Sequence, residues 1–288
     1  MNVMTIDSVV CAPQNNVTNF LRYPGSKRRM LSFLATLLPS AESIEGRYVE
    51  PFVGGGAVFL FISPKEAFLS DINPDLIDLY RGIRLDAQAV WNTYSHFGRT
   101  KKDYQRIRSN VPRLLVKRAA RVLFLNRTCF KGMWRHNLKG GFNVGYGGQA
   151  RRWVIDSSTL KKISECLQHT KIRCCDFEQV IDSCEEGDFL FLDPPYRPGE
   201  REQINDHYIG RQFTYDDHRR LASALTRANS RRVQWLMTTS SHPDIRKLFR
   251  SNRIISMPRG TGRLPGRLVK DSGEIVIANY LAKGVHST

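Results

Sequence analysis

The tetrapeptide Asp193-Pro194-Pro195-Tyr196 has the residue types required for chemistry on an exocyclic amino group of a nucleobase. Such an amine is a weak nucleophile because its lone pair is delocalised into the aromatic ring. The Asp193 carboxylate and the Pro194 carbonyl can accept its two N–H bonds and draw the nitrogen toward tetrahedral geometry. The second proline restrains that carbonyl, and Tyr196 offers a ring on which an extruded base can stack. The motif therefore predicts methyl transfer to such an amine.

The residues before this motif indicate a buried strand. Asp188-Phe189-Leu190-Phe191-Leu192 is apolar after its first residue, as expected of a central strand that is covered on both faces. Ligand sites of open α/β sheets lie at the carboxyl ends of such strands, which is where Asp193 falls. The competing interpretation is an ordinary proline turn with a tyrosine on the surface.

A glycine-rich turn is a second candidate binding element. A strand is predicted over residues 48–52, the turn Val53-Gly54-Gly55-Gly56 follows it, and a second predicted strand ends at Asp71. Gly54 and Gly56 allow close approach of an adenosine-type cofactor, and Asp71 is placed to bind ribose hydroxyls. The turn lacks G-x-G-x-x-G and no Walker lysine follows it, which disfavours a nicotinamide dinucleotide and a triphosphate. A tight turn in any α/β protein is the alternative interpretation.

Helices and further strands must hold these motifs in place. Ser26 is predicted to cap a helix that runs to Leu38, and Asn73 and Pro74 to begin a helix through Tyr80. The other predicted elements are helices over residues 113–125 and 216–229 and strands over residues 171–176, 188–192, 233–239 and 274–281. This alternation predicts an α/β fold with a mostly parallel sheet.

The positive charge of the chain is concentrated in one region. The 288 residues carry a formal net charge of +17, which suits a polyanionic partner. Residues 99–155 contain fifteen Lys and Arg and one acid, Asp103, so nucleic acid is the first candidate. No segment is apolar enough to span a bilayer, and the six cysteines have no zinc-site spacing. We therefore expect a cytoplasmic, DNA-associated protein that needs no metal.

Four motifs in order resemble those of one enzyme family. They are Arg22-Tyr23-Pro24-Gly25-Ser26-Lys27, Glu50-Pro51-Phe52-Val53-Gly54-Gly55-Gly56, Asp71-Ile72-Asn73 and the tetrapeptide at Asp193. From Phe20 to Leu281 the chain resembles the Dam-like DNA adenine-N6 methyltransferases of the alpha group, of prokaryotic or phage type. The resemblance implies a Rossmann-like methyltransferase domain that uses S-adenosylmethionine and releases S-adenosylhomocysteine. It also implies a mainly helical target-recognition insert.

The resemblance assigns site residues as well. The catalytic group consists of Asp193, Pro194 and Tyr196. Tyr23 stands where the family often has tryptophan, which keeps an aromatic face, and Asp176-Phe177 is similar to the pair beside the adenine ring of the cofactor. The implied cofactor-binding residues are Tyr23, Lys27, Phe52, Gly54, Gly56, Asp71, Asp176, Phe177 and Asp193.

The insert resembles the target-recognition hairpin of the family. In members that modify GATC, the position of Phe130 holds an aromatic wedge beside the flipped base, and the position of Arg135 reads guanine. The implied DNA-binding residues are Arg127, Phe130, Lys131, Arg135 and Asn137. Lys131, Met133 and Gly145 depart from the usual Asn, Leu and Pro, so adenine is better supported as the target than GATC is as the site.

The sequence therefore predicts a site-specific adenine-N6 methyltransferase that acts on double-stranded DNA. The predicted division is an N-terminal arm (1–19), a catalytic domain (20–84 and 160–288) and a DNA-recognition insert (85–159). Two alternatives stay open. One is methylation of cytosine N4, which uses the same hydrogen-bond logic. The other is a DNA-binding, cofactor-binding subunit of a restriction or defence assembly with little turnover.

Overall fold

The computed structural model describes residues 20–22, 25–137, 140–148, 155–196, 213–256 and 273–280, and every structural statement below concerns these residues. The predicted N-terminal arm and Tyr23 lie outside them. The α-helices are α1 (Leu31–Leu34), α2 (Ala57–Ile62), α3 (Pro74–Ser95), α4 (Lys101–Ser109), α5 (Leu115–Thr128), α6 (Ser157–Leu167), α7 (Phe177–Asp182), α8 (Tyr215–Ser230) and α9 (Pro243–Leu248). The strands are β1 (Tyr48–Glu50), β2 (Ala67–Asp71), β3 (Thr170–Cys174), β4 (Phe189–Leu192), β5 (Gln234–Ser240), β6 (Arg253–Ser256) and β7 (Glu274–Ala278).

The strands form one seven-stranded sheet in the order β3-β2-β1-β4-β5-β7-β6. The first five are parallel, whereas β7 runs antiparallel to both β5 and β6. In the order of the sequence, β2 and β3 are added on one side of β1, whereas β4 and β5 are added on its other side, so the switch point lies between β1 and β4. In open α/β sheets, ligands bind at the carboxyl ends of the strands at such a switch point. The predicted Rossmann-like α/β fold is confirmed.

Alternating side chains of β4 enter two cores on opposite faces of the sheet. Phe189 and Phe191 pack on the side of α1 to α6, and Leu190 and Leu192 pack on the side of α7, α8 and α9. All four residues are buried, because helices cover both faces. The predicted central strand is therefore confirmed, and it gives the residue that follows it a fixed position.

Helix α3 joins the glycine-turn region to the insert. Asn73 caps it as predicted, since its Oδ1 accepts the Asp75 N–H at 3.0 Å, but the helix continues well past the predicted end at Tyr80. Its backbone is interrupted at Asp86 (φ −160°, ψ 89°). Gly82 lets α5 approach closely, because an added Cβ would lie 2.4 Å from the Ala119 Cβ. Helices of the insert thus share a core with the sheet, and the division into domain and insert remains a prediction.

The predicted helix from Ser26 to Leu38 is wrong in form. Residues Lys27–Met30 are a 3-10 turn, the α-helical part is limited to α1, and Ser26 makes no capping hydrogen bond with its side chain. The Lys27 ammonium bends back and donates to the Gly25 carbonyl at 2.7 Å. Strand β6, which the sequence analysis missed, lies at the sheet edge and is only half-buried.

Candidate active site

The glycine turn after β1 requires the residues that the sequence places there. Gly54 and Gly56 have positive φ values of 45° and 61°, which side chains disfavour. A Cβ on Gly56 would also lie 2.6 Å from the Tyr80 hydroxyl oxygen. That hydroxyl donates to the Gly54 carbonyl at 2.9 Å. The Tyr80 hydroxyl thus packs against the turn and hydrogen-bonds to it. The sequence analysis named Tyr80 only as the end of a predicted helix.

Asp71, at the end of β2, is bonded to the glycine turn. Its Oδ2 accepts the Gly54 N–H at 3.0 Å and its Oδ1 accepts the Asn73 N–H at 2.9 Å. Burial raises its pKa to about 6, although the hydrogen bonds from Asn73 and Gly54 oppose the rise. Each carboxylate oxygen keeps a second lone pair. Asp71 can therefore accept further hydrogen bonds from a hydroxylated ligand beside the turn.

Three aromatic rings, those of Phe52, Phe177 and Phe213, pack together, and Phe52 immediately precedes the turn. The Phe52 and Phe177 rings are stacked with centroids 5.3 Å apart, and Phe213 meets Phe52 edge-on at 5.9 Å. Asp176 caps α7 by accepting the Glu178 N–H at 2.9 Å, which fixes Phe177 at the first helical position. These contacts bring the predicted residues Phe52, Asp176 and Phe177 together.

Asp193 lies at the carboxyl end of β4 with both carboxylate oxygens bonded. Its Oδ2 is 2.7 Å from the Lys27 ammonium, and its Oδ1 accepts the Thr238 hydroxyl at 2.8 Å. The Lys27 side chain is 5% exposed and the Asp193 side chain 20%. Burial raises the pKa of Asp193, and the Lys27 charge is the largest opposing influence. Lys27 therefore favours the ionised carboxylate that an amine donor needs.

The remainder of the tetrapeptide surrounds this ion pair. Pro194 is buried, and Tyr196 is partly buried with the Lys27 Nζ 4.8 Å from its ring centroid. An ammonium group at this distance is attracted to the face of an aromatic ring. Lys27 thus contacts both Asp193 and Tyr196. The sequence analysis had placed these two residues in one motif but had not predicted that Lys27 connects them.

Glu50 and Thr238 are site residues that the sequence analysis missed. Glu50 ends β1 and is buried, and its Oε2 accepts the Tyr48 hydroxyl at 2.8 Å. Burial raises its pKa well above the ordinary value, and the nearby Asp193 and Asp71 charges add to the rise. Each of three adjacent strands ends at or just before an acidic residue: β1 at Glu50, β2 at Asp71 and β4 before Asp193. This pattern could have identified Glu50 from the sequence. No comparable signal marks Thr238, which is 45 residues from Asp193. In the described ranges, no three or more His, Cys, Asp or Glu side chains are grouped so that they could hold a metal ion.

Most predicted DNA-binding residues lie on an exposed hairpin. We define the recognition hairpin as residues 129–147, of which 138 and 139 are not described; it is joined by bridges between Cys129 and Tyr146 and between His136 and Phe142. Phe130 is 45% exposed, an unusual environment for a large apolar ring. The three polar members on the hairpin, Lys131, Arg135 and Asn137, are exposed.

Arg127 differs from the other predicted DNA-binding residues. It lies in the last turn of α5, it is only 8% exposed, and burial lowers its pKa to about 10. Its guanidinium is packed within the protein near Tyr94, so this placement does not support a direct contact with DNA. The helix carries basic residues on more than one face, and sequence alone did not show which face is buried.

Comparison with known proteins assigns the chain to a family. Residues 23–259 match the D12 class N6 adenine-specific DNA methyltransferases. The type II methyltransferase M1.LlaDCHI of Lactococcus lactis is 30% identical over 92% of this chain and 96% of its own length. The type II methyltransferase M.MjaIII of Methanocaldococcus jannaschii is 33% identical over 79% and 86%. A DNA adenine methylase of Vibrio cholerae is 30% identical over 85% and 91%.

A Rossmann-like sheet with a carboxylate at the carboxyl end of a central strand, at the switch point, has its ligand-binding edge where Asp193 lies. With these matches, the chain belongs to the D12 class N6 adenine-specific DNA methyltransferases, enzymes that methylate adenine N6 in DNA. Nothing in the comparisons favours cytosine as the target. No helix in the described parts of the chain is both long and apolar enough to cross a membrane.

Proposed function

We propose that this chain methylates N6 of an adenine flipped out of double-stranded DNA at a specific site, and that Asp193 and Pro194 hold the amine. The observation that carries the proposal is the position of Asp193. It follows a strand buried on both faces, at the sheet switch point, and the Lys27 ammonium next to its carboxylate opposes the rise in pKa that burial causes. A rigid acceptor aimed at a group that becomes positive during reaction lowers the barrier without reorganisation.

The glycine-turn region fits S-adenosylmethionine, which supplies an activated methyl group on a sulfonium. Gly54 and Gly56 give the turn the positive φ values that let its backbone approach the ligand, and Asp71 has lone pairs for ribose hydroxyls. Phe52 and Phe177 offer apolar rings for an adenine base, and Asp176 lies beside them. Tyr23 and Lys27 complete the proposed set from the segment before α1, with Tyr23 outside the described residues.

The recognition hairpin is proposed to bind the duplex. Phe130 would occupy the gap left by the extruded base, and Arg135 would read guanine through O6 and N7. The Arg135 Nε donates to the Asn143 Oδ1 at 3.0 Å, which leaves the two terminal nitrogens for the base. Lys131 and Asn137 lie next to these residues and would contact the backbone. The hairpin would thus supply the sequence readout that the methyl-transfer site lacks.

Two relatives are named type II methyltransferases, so a cognate restriction nuclease is a candidate partner of this chain. The alternative of a subunit with little turnover is less well supported, because Asp193, Lys27 and Tyr196 form an intact contact group.

Mass spectrometry of nucleosides tests the target base. The purified protein is incubated with unmethylated bacterial DNA and S-adenosylmethionine, and the digested nucleosides are quantified. We expect N6-methyladenine that accumulates with time, and long-read sequencing of the same DNA gives its sequence context. N4-methylcytosine, or no modified nucleoside, would contradict the proposal.

A further inference from the structure

Asn126 connects the base of the recognition hairpin to the segment before α1. It is 1% exposed and lies in the last turn of α5. Its Oδ1 accepts the Arg22 N–H and its Nδ2 donates to the Arg22 carbonyl, both at 2.8 Å. A side-chain amide that satisfies both backbone groups of one residue fixes that residue in two directions. Arg22 is the first residue of the motif that contains Tyr23 and Lys27.

The first turn of the hairpin packs against the same residue. Gly132 has φ +70°, and a Cβ added there would lie 2.6 Å from the Arg22 Cβ. The 3-10 turn Phe130–Gly132 therefore lies directly on the Arg22 backbone. Gly132 thus brings the turn that carries Phe130 into close contact with Arg22.

His136 makes a second connection, on the other side of the hairpin. Its ring is 3% exposed, and its Nε2 donates to the Asp75 Oδ2 at 2.8 Å, which requires the proton on Nε2. Asp75 in turn donates its N–H to the Asn73 side chain, and the Asn73 N–H bonds Asp71. Because Asp71 also accepts the Gly54 N–H, four hydrogen bonds in series join the hairpin to the glycine turn.

Two other polar contacts in the described part of the hairpin do not have this property. The Tyr146 hydroxyl donates to the Arg99 carbonyl at 2.9 Å, and the Tyr104 hydroxyl donates to the Val144 carbonyl at 2.8 Å. Both stay within residues 85–159. They support the shape of the hairpin, whereas Asn126 and His136 attach it to residues that border the proposed cofactor pocket.

We infer that Asn126 and His136 are positioning residues through which occupation of the cofactor pocket stiffens the recognition hairpin, so that cofactor and DNA favour each other's binding. The inference rests on the proposed cofactor role of the glycine turn and Asp71. A ligand that orders Asp71 and the segment after Arg22 restricts the two attachment points, and the hairpin then loses less freedom when DNA binds. Such a coupling is reciprocal by thermodynamic necessity.

Hydrogen–deuterium exchange with S-adenosylhomocysteine as the probe tests this inference without DNA and without turnover. Wild type, Asn126→Leu, His136→Phe and His136→Gln are compared with and without saturating probe. Tyr146→Phe is the matched control, because it removes one hairpin hydrogen bond whose partner lies within the insert. Exchange is followed in peptides that cover the glycine turn (50–56) and the recognition hairpin (129–147).

In wild type and Tyr146→Phe, we expect the probe to slow exchange in both peptides, by about fivefold or more in the hairpin, as typical coupling energies imply. In Asn126→Leu and His136→Phe, the glycine turn should still be protected while protection of the hairpin is lost. His136→Gln keeps an N–H donor of similar reach and should restore it. A role in stability alone would instead raise hairpin exchange equally with and without the probe.

Three results would overturn the inference. Hairpin exchange in wild type that does not respond to the probe would show that no coupling exists. Protection retained in both Asn126→Leu and His136→Phe would show that these residues do not carry it. If the probe fails to protect even the glycine turn of wild type, the proposed cofactor site itself is wrong, and the coupling fails with it; this result is distinguishable from the other two.

Discussion

Replacing Lys27 by methionine should move the acidic limb of the pH–rate profile to higher pH. In wild type the Lys27 ammonium lies 2.7 Å from Asp193, and both side chains are largely buried. Burial alone raises the pKa of Asp193, and the Lys27 charge opposes that rise. Methionine keeps the apolar stem and removes the charge, so the proton on Asp193 is held more tightly.

The size of the effect follows from the geometry. A hydrogen bond to a charged group contributes about 1.5 to 3 kcal/mol. Since about 1.4 kcal/mol corresponds to a factor of ten, the proton affinity of Asp193 should rise by about 10- to 100-fold. A protonated carboxyl is a weaker acceptor for the N–H that the adenine amine donates to Asp193. Activity should therefore be lost at a higher pH than in wild type and recover as the pH rises.

The assay is the single-turnover rate of methyl transfer at saturating DNA and cofactor, measured across pH. Saturation matters because Lys27 is also a proposed cofactor contact, and weaker binding must not be mistaken for slower chemistry. Lys27→Arg keeps the positive charge and should retain an acidic limb close to that of wild type. The reasoning is refuted if Lys27→Met lowers the rate by the same factor at every pH, with its acidic limb unmoved.

Three further changes test other parts of the site. Gly56→Ala should destabilise the protein by about 1 to 3 kcal/mol, because it combines a positive φ with a Cβ 2.6 Å from the Tyr80 hydroxyl oxygen. Adding Tyr80→Phe should relieve part of this loss. An unchanged midpoint of chemical denaturation in Gly56→Ala would contradict the prediction. Phe130→Ala should change the free energy of unfolding by no more than about 0.5 kcal/mol but reduce extrusion of the target base. Extrusion is measured by the fluorescence of 2-aminopurine at the target position. Fluorescence as strong as that with wild type would count against Phe130 as the wedge. Arg135→Ala should lower discrimination against a substituted site by about 1 to 3 kcal/mol in competition binding. Arg106→Ala, on an exposed face of α4, should weaken the binding of cognate and substituted DNA alike. Equal discrimination in both variants would exclude Arg135 as the residue that reads the base.

The central strand and its motif could be predicted from sequence because their signals are local. An apolar run predicted β4, and the residue after it was necessarily at the carboxyl edge of the sheet once the sheet was parallel. Asn73 was a recognisable cap for the same reason: its side chain bonds a backbone group two residues away. Asp71 and the glycine turn follow similar local rules.

The contacts that tune the site depend on the order of the strands and were not predictable in this way. Thr238 meets Asp193 only because β5 lies beside β4, and Lys27 reaches it from a segment far earlier in the chain. The burial of Arg127 depends on which face of α5 packs against the rest of the protein, and its basic composition suggested the opposite environment. Short elements such as β6 have too few residues to show a periodicity.

The most direct measurement of the central claim is the rate of methyl transfer by Asp193→Ala on the DNA site that wild type modifies. If the carboxylate holds the adenine amine, its loss should reduce the single-turnover rate by about 100- to 1,000-fold, the range seen when one fixed hydrogen-bonding group is removed from a reacting centre. Binding of DNA and of S-adenosylhomocysteine should persist, which shows that the fold is intact. A rate within a few-fold of wild type, with both ligands still bound, would contradict the assignment of Asp193.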